Sequence, residues 1–363
     1  MTGMQRILLT RDWPGLLAAI EAEGYQLVGP ALKDGAIVMQ ELSSDEELPR
    51  GWTDQQAPGT YRLSNGGTKL FDYGPGPGSF KRFFHPPEVS LFRVRKSADG
   101  LVFESSPGPA RPYALVGARS CDLAAIAVQD RVLLEQDEVY RRNRQDLFVL
   151  AVQCSRAGDL CFCTSTGSGP KAEKGYDLAL TELPQGMLLE VGSEVGRRVL
   201  ARVPTRAASQ TDLEDAGRVW QATAQSMPRR FDAQKVRRRL VEVPEHPRWK
   251  EVADRCLTCG NCTQVCPTCF CSSTVDSSSL DGQQAERTRL WDSCFSLELS
   301  HIHGLNVRQS PRSRYRQWLT HKLSTWFEQF GTSGCVGCGR CVAWCPVGID
   351  ILEEAEALCE PSI

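Results

Sequence analysis

The chain has no long hydrophobic run: the longest, Leu147–Val152, is about a third of what a membrane span needs. Its first residues, MTGMQRILLTRDWPG, contain no apolar core and no small-residue cleavage site, so no secretory signal is read and a cytoplasmic location is expected. An excess of one charge is also missing. With 42 Lys and Arg against 44 Asp and Glu the formal net charge is −2, which argues against a dedicated nucleic-acid binder or a polybasic membrane anchor. Nucleotide fingerprints are absent as well. No G-x-G-x-x-G follows a strand, no G-x-x-x-x-G-K-[ST] occurs, and the glycines at 74–78 precede no helix. No flavin or nicotinamide is therefore expected in this chain. The five histidines, His85, His246, His301, His303 and His321, are scattered apart from one pair. No Ser-His-Asp or paired-carboxylate arrangement stands out, and no catalytic residue is assigned.

What the chain does have is cysteine, 16 in 363 residues. That length allows two or three domains of roughly 100–200 residues each, so smallness does not call for disulfide staples. In a reducing compartment these thiols read as metal or redox ligands.

The pattern along the chain suggests an α/β domain over 1–204, a helical linker over 205–250, and an α+β, two-cluster ferredoxin-like domain over 251–363 with a helical insertion at 267–334. Asp12, Pro14 and the apolar face Leu16, Leu17 and Ile20 suggest a capped helix ending at Gly24, followed by strands near Tyr25–Val28 and Ala36–Gln40. Residues 74–88 are too rich in Gly and Pro for a regular element and read as an ordered loop anchored by Phe80, Phe83 and Phe84. Tyr113–Val116, the helical pattern Asp122–Leu134 and Leu147–Val152 read as strand, helix, strand, a parallel crossover. Residues 211–254 carry helical signals broken at Pro228 and Pro244.

Two segments carry most of the chemistry. Cys256-Leu-Thr-Cys259-Gly-Asn-Cys262-Thr-Gln-Val-Cys266-Pro267 and Cys335-Val-Gly-Cys338-Gly-Arg-Cys341-Val-Ala-Trp-Cys345-Pro346 are both C-x2-C-x2-C-x3-C-P. That spacing wraps three thiolates around one iron–sulfur cube and sends the fourth to its neighbour. One [4Fe-4S] cluster is then expected on Cys256, Cys259, Cys262 and Cys345, the other on Cys335, Cys338, Cys341 and Cys266. Zinc ribbons, the competing reading, use two C-x2-C knuckles spaced further apart.

A third [4Fe-4S] cluster is a candidate on Cys121, Cys154, Cys161 and Cys163. Cys121 and Cys154 follow the two strands of the crossover and would emerge at one carboxyl edge, with Cys161-Phe-Cys163 on a loop that can fold back to it. Four unrelated cysteines are the alternative. Asp122 reads as a helix cap. The insertion adds Cys269, Cys271 and Cys294, read as buried thiols beside the clusters in preference to a mononuclear site completed by a histidine. Arg308, Arg312, Arg314 and Arg316 read as a docking face or as charge compensation, and Cys359 as a spare thiol.

From about Phe80 to Ile351 the sequence resembles the iron–sulfur beta subunit of soluble, NAD(P)-linked [NiFe]-hydrogenases of the sulfhydrogenase type. It is similar also to the A subunit of anaerobic sulfite reductase, of the same family. Beside the ferredoxin motifs, the resemblance rests on Phe84-His85-Pro86, Ala118-Arg119-Ser120-Cys121-Asp122, Cys154 with Cys161-Phe162-Cys163, Gly175-Tyr176-Asp177 and His246-Pro247-x-Trp249. It continues through Cys266-Pro267-Thr268-Cys269-Phe270-Cys271 and Arg287-x-Arg289-x-Trp291-Asp292-Ser293-Cys294, and departs at His301-Ile302-His303-Gly304, where a glycine pair is expected. The resemblance implies a non-catalytic electron bridge. Its partners would be a flavin-containing gamma subunit that exchanges hydride with NAD(P)H, and an iron–sulfur small subunit with a nickel–iron large subunit. In the sulfite-reductase branch a siroheme subunit would take the last place. An iron–sulfur sensor or nucleic-acid module using Arg229–Arg239 is the reading from another class, although that stretch looks like a solvated helix face.

Overall fold

Short apolar runs become strands here, and the amphipathic stretches between them become helices. The structure, a computed structural model, describes residues 4–105 and 107–361. The strands of the first half are β1 (Gln5–Leu8), β2 (Gln26–Lys33), β3 (Ala36–Glu41), β4 (Trp52–Ala57), β5 (Thr60–Asn65), β6 (Glu88–Ser97), β7 (Gly100–Ser105), β8 (Tyr113–Arg119), β9 (Phe148–Val152), β10 (Leu178–Leu183), β11 (Gly186–Val191) and β12 (Arg206–Ala207). Its helices are α1 (Trp13–Ala22), α2 (Lys81–Phe84), α3 (Ser120–Leu133), α4 (Glu138–Gln145), α5 (Glu194–Leu200) and α6 (Gln210–Gln225).

An eight-stranded sheet runs β12-β1-β11-β10-β9-β8-β2-β3. β2, β8, β9 and β10 pair in parallel, the outer strands antiparallel. The parallel strands are apolar on both faces because helices cover both. Ala114, Val116, Phe148 and Leu150 pack with Trp13, Leu16 and Ile20 of α1. Leu115, Val149 and Ala151 meet Leu123 and Ile126 of α3 on the other side. The carboxyl ends of β8 and β9 lie side by side, where open parallel sheets build their sites.

Two local expectations change. Asp12 precedes α1 but makes no side-chain cap bond; Pro14 removes the N2 amide that an N-cap side chain would otherwise accept from. Residues 74–88, expected to be irregular, contain the single turn α2, held by burial of Phe80 and Phe84.

The second half contains α7 (Ala233–Glu242), α8 (Arg248–Arg255), α9 (Asn261–Gln264), β13 (Ser272–Ser278), β14 (Gln284–Trp291), α10 (Pro311–Thr320), α11 (Trp326–Phe330), α12 (Arg340–Ala343) and α13 (Ile351–Ala357), with a π-helical turn at His321–Thr325. The insertion, expected to be helical, opens instead with the hairpin β13–β14. That hairpin extends a sheet of order β13-β14-β6-β7, covering the open edge of β6. The partner strand lies in the first half of the chain, out of reach of any local pattern.

Trp249, Tyr315, Trp318, Leu319 and Leu352 form the core beneath the ferredoxin motifs. Trp249 is 0% exposed and its indole donates to the Val243 carbonyl at 2.7 Å. Trp249→Ala is expected to cost about 3–5 kcal/mol; an unchanged denaturation midpoint would show that the site collapses without penalty. Among the described residues no helix is long and apolar enough to cross a membrane.

Candidate metal centres

Each ferredoxin motif is a loop that wraps back on itself before a short helix. α9 starts after Gly260 and α12 after Gly339, both in the left-handed region (φ 73° and 75°). At Gly339 a Cβ would stand 2.6 Å from the Leu160 carbonyl oxygen, so no other residue fits. The loops repeat one hydrogen bond: Thr258 N donates to Cys256 Sγ and Gly337 N to Cys335 Sγ, both at 3.4 Å.

Cys256, Cys259, Cys262 and Cys345 line one cavity, walled by Tyr315 and Trp318. Cys335, Cys338, Cys341 and Cys266 also converge, close enough for their charges to oppose one another. Burial first, then this mutual repulsion, raises most of these thiols, Cys335 to about 12. Iron supplies the positive charge that lets such thiols bind as thiolates.

Cys121, Cys154, Cys161 and Cys163 line a second cavity. Burial pushes Cys161 up to about 12. The ferredoxin motif forms one wall of this cavity. Cys338 lines it too, Phe162 N donates to the Gly337 carbonyl at 2.8 Å, and Ser168 Oγ to the Val336 carbonyl at 2.7 Å.

Three buried cations serve these groups, and residue spacing does not reveal their part. Arg119 donates to Cys154 Sγ at 3.6 Å. Lys322, on the π-helical turn, donates to Cys266 Sγ at 3.3 Å and to the Gly334 carbonyl at 3.1 Å. π-turns inside helices frequently mark functional positions. Arg340 donates to Asp122 Oδ1 at 2.9 Å and to the Gly76 carbonyl at 3.2 Å. Its Nη1 is buried without a hydrogen-bond partner and the side chain lies beside the Cys338 thiol. Arg119 and Arg340 sit within the Arg-Ser-Cys-Asp and Cys-Gly-Arg-Cys blocks, which was the one available signal; Lys322 had none. Asp122 does more than the expected cap: it accepts from Arg119 N at 3.1 Å and also binds Arg340.

The other singled-out residues are placed as follows. His85 is buried, stacked on Trp291, and burial pushes its pKa down to about 3. His301 and His303 are exposed on a small hairpin. Arg312 and Arg316 pair with Glu245, whereas Arg314 is buried. In the basic stretch, Arg229 pairs with Asp350, Arg237 with Glu328 and Arg239 with Glu242.

The donor set fits iron–sulfur clusters: enclosed thiols, amides and cations aimed at sulfur, and an orphaned guanidinium nitrogen at Cys338. This defines a dicluster ferredoxin-type iron–sulfur protein, and the 4Fe-4S dicluster domain family matches residues 255–349. A curated relative, the sulfhydrogenase 2 subunit beta of Pyrococcus furiosus, is 31% identical over 286 residues, covering 76% of this chain and 81% of the relative. The chain belongs to the family of iron–sulfur sulfhydrogenase beta subunits. No solved structure shows a significant match.

Proposed function

We propose that this chain conducts electrons within a hydrogenase complex, through [4Fe-4S] clusters on three cysteine quartets: Cys256, Cys259, Cys262 and Cys345; Cys335, Cys338, Cys341 and Cys266; and Cys121, Cys154, Cys161 and Cys163. The observation that carries it is the stacking of the three quartets. Cys341 lines the first cavity while belonging to the second quartet, and Cys338 of that quartet lines the third. When bound, the clusters supply one-electron oxidation states. The protein's part is to hold the thiolates in a dry, apolar body and to bias the potentials. Amide donation from Thr258 and Gly337, donation from Lys322 and Arg119 to cysteine sulfur, and the buried Arg340 charge beside Cys338 favour the more negative, reduced form. Cys259 is exposed beside the exposed Leu257, an edge at which electrons enter or leave.

In this reading hydride chemistry with NAD(P)H belongs to a flavin-binding partner, and hydrogen chemistry to an iron–sulfur small subunit with a nickel–iron large subunit. The family and the lack of a nucleotide fingerprint in this chain support that division. The test is metal analysis of the complex purified anaerobically through a tag on this chain. Stoichiometric nickel supports the reading; siroheme absorbance without nickel moves the chain to a sulfite-reductase complex. Cys161→Ala is expected to lower iron by about four atoms per chain, and an unchanged iron content removes the third cluster.

A further inference from the structure

The second and third quartets meet at one place, and a buried ion pair stands there. Cys121 of the third quartet and Cys338 of the second pack in the same buried group with Ala125 and Val336. Asp122 follows Cys121 in the first turn of α3, and Arg340 opens α12 between Cys338 and Cys341. Their side chains, Arg340 1% and Asp122 3% exposed, join at 2.9 Å.

The pair is held in one orientation. Arg340 Nε donates to the Gly76 carbonyl at 3.2 Å and Nη2 to Asp122 Oδ1, while Nη1 is buried without a partner. Asp122 Oδ2 accepts from Arg119 N at 3.1 Å, which fixes the carboxylate from the other side. Each end of the pair therefore faces a different quartet. Of the charged side chains around Cys338, Arg340 acts on it most strongly, whereas at Cys121 Asp122 outweighs Arg340. The Arg119 guanidinium is the other fixed charge nearby, and it is directed at Cys154. A guanidinium stays charged at any working pH, so the positive end depends on no titration. Two opposite charges in a low-dielectric site do not cancel at distances comparable with their separation.

We propose that the Arg340–Asp122 pair sets a step in reduction potential between two clusters: its positive end raises the potential of the second, its negative end lowers that of the third, and electrons are directed from the third quartet to the second. Reduction adds one negative charge to a cluster, which a neighbouring cation stabilises and a neighbouring carboxylate opposes. In this step the third cluster gives up one electron and is oxidised, the second accepts it and is reduced, and no proton or further reactant is needed. The assignment rests on the three-cluster reading above and adds a direction to it.

The experiment is a redox titration of the anaerobically purified complex followed by electron paramagnetic resonance, with Cys338→Ala and Cys161→Ala identifying the signals of the second and third clusters. Arg340→Gln is expected to lower the reduced-to-oxidised ratio of the second cluster about tenfold at a fixed potential, a midpoint shift of about 59 mV. Asp122→Asn is expected to raise that ratio for the third cluster by a similar factor. Arg340→Lys, which keeps the charge, should leave the second cluster near its original reduction midpoint. Unchanged midpoints, or equal shifts of both clusters in each variant, overturn the proposal, and so does a shift in Arg340→Lys as large as in Arg340→Gln. If Arg340→Gln does not accumulate, Asp122→Asn alone decides through the third cluster. Failure of the underlying reading looks different, because Cys161→Ala would then lose no iron and no third signal would exist to move.

Discussion

Cys338→Ala is expected to remove about four irons per chain and to lower electron transfer between the partner subunits by more than about a hundredfold, since even outer-sphere changes at metal sites cost ten- to a hundredfold. Cys338 is 8% exposed, belongs to the second quartet, and also walls the cavity of the third. On the proposed assignment the substitution strikes the middle of the path. Cys359→Ala is the control: that thiol lies near the end of the chain with Lys235 and Arg239 as its main neighbouring charges, and it should leave iron and activity unchanged. Full iron with full activity in Cys338→Ala would refute the ligand assignment.

A large effect on stability is also expected from Arg340→Met. Arg340 and Asp122 are 1% and 3% exposed and meet at 2.9 Å, joining the second ferredoxin motif to the start of α3. Removing the guanidinium leaves a buried carboxylate whose remaining partner is the Arg119 amide. Breaking such a pair costs about 3–5 kcal/mol. Adding Asp122→Asn should recover part of that loss, because the stranded charge goes with it. Arg340→Lys should not restore the wild-type midpoint, since one ammonium cannot reproduce the fork that reaches both Asp122 and the Gly76 carbonyl. Denaturant midpoints give the answer, and a cost below about 1 kcal/mol for Arg340→Met would place the pair with weak surface bridges.

The residues that were legible were those whose meaning is local. Thiolate spacing in C-x2-C-x2-C-x3-C-P follows from how a loop wraps a cube, so eight cysteines could be grouped without coordinates. The mixed α/β character followed from strand-length apolar runs alternating with helical ones, and Leu147–Val152 reads as a buried strand because both its faces are covered. Where expectation and structure part, the cause is distant. β13 and β14 became strands because β6 offers them an edge, not because Ser272–Ser278 has a strong strand pattern. α2 formed in a Gly- and Pro-rich segment because its aromatic side chains are buried.

By itself, then, the sequence determined the cysteine chemistry, the family and the absence of nucleotide-binding fingerprints, all properties of residues near one another in the chain. Only the tertiary structure decided which charges meet those thiols. Lys322 reaches Cys266, Lys81 reaches the Cys269 carbonyl, and Arg340 reaches Asp122 across gaps that no spacing rule spans. The physical reason is that a buried cation gains most from whichever anion the fold brings into the same low-dielectric space, and sequence separation does not enter that energy.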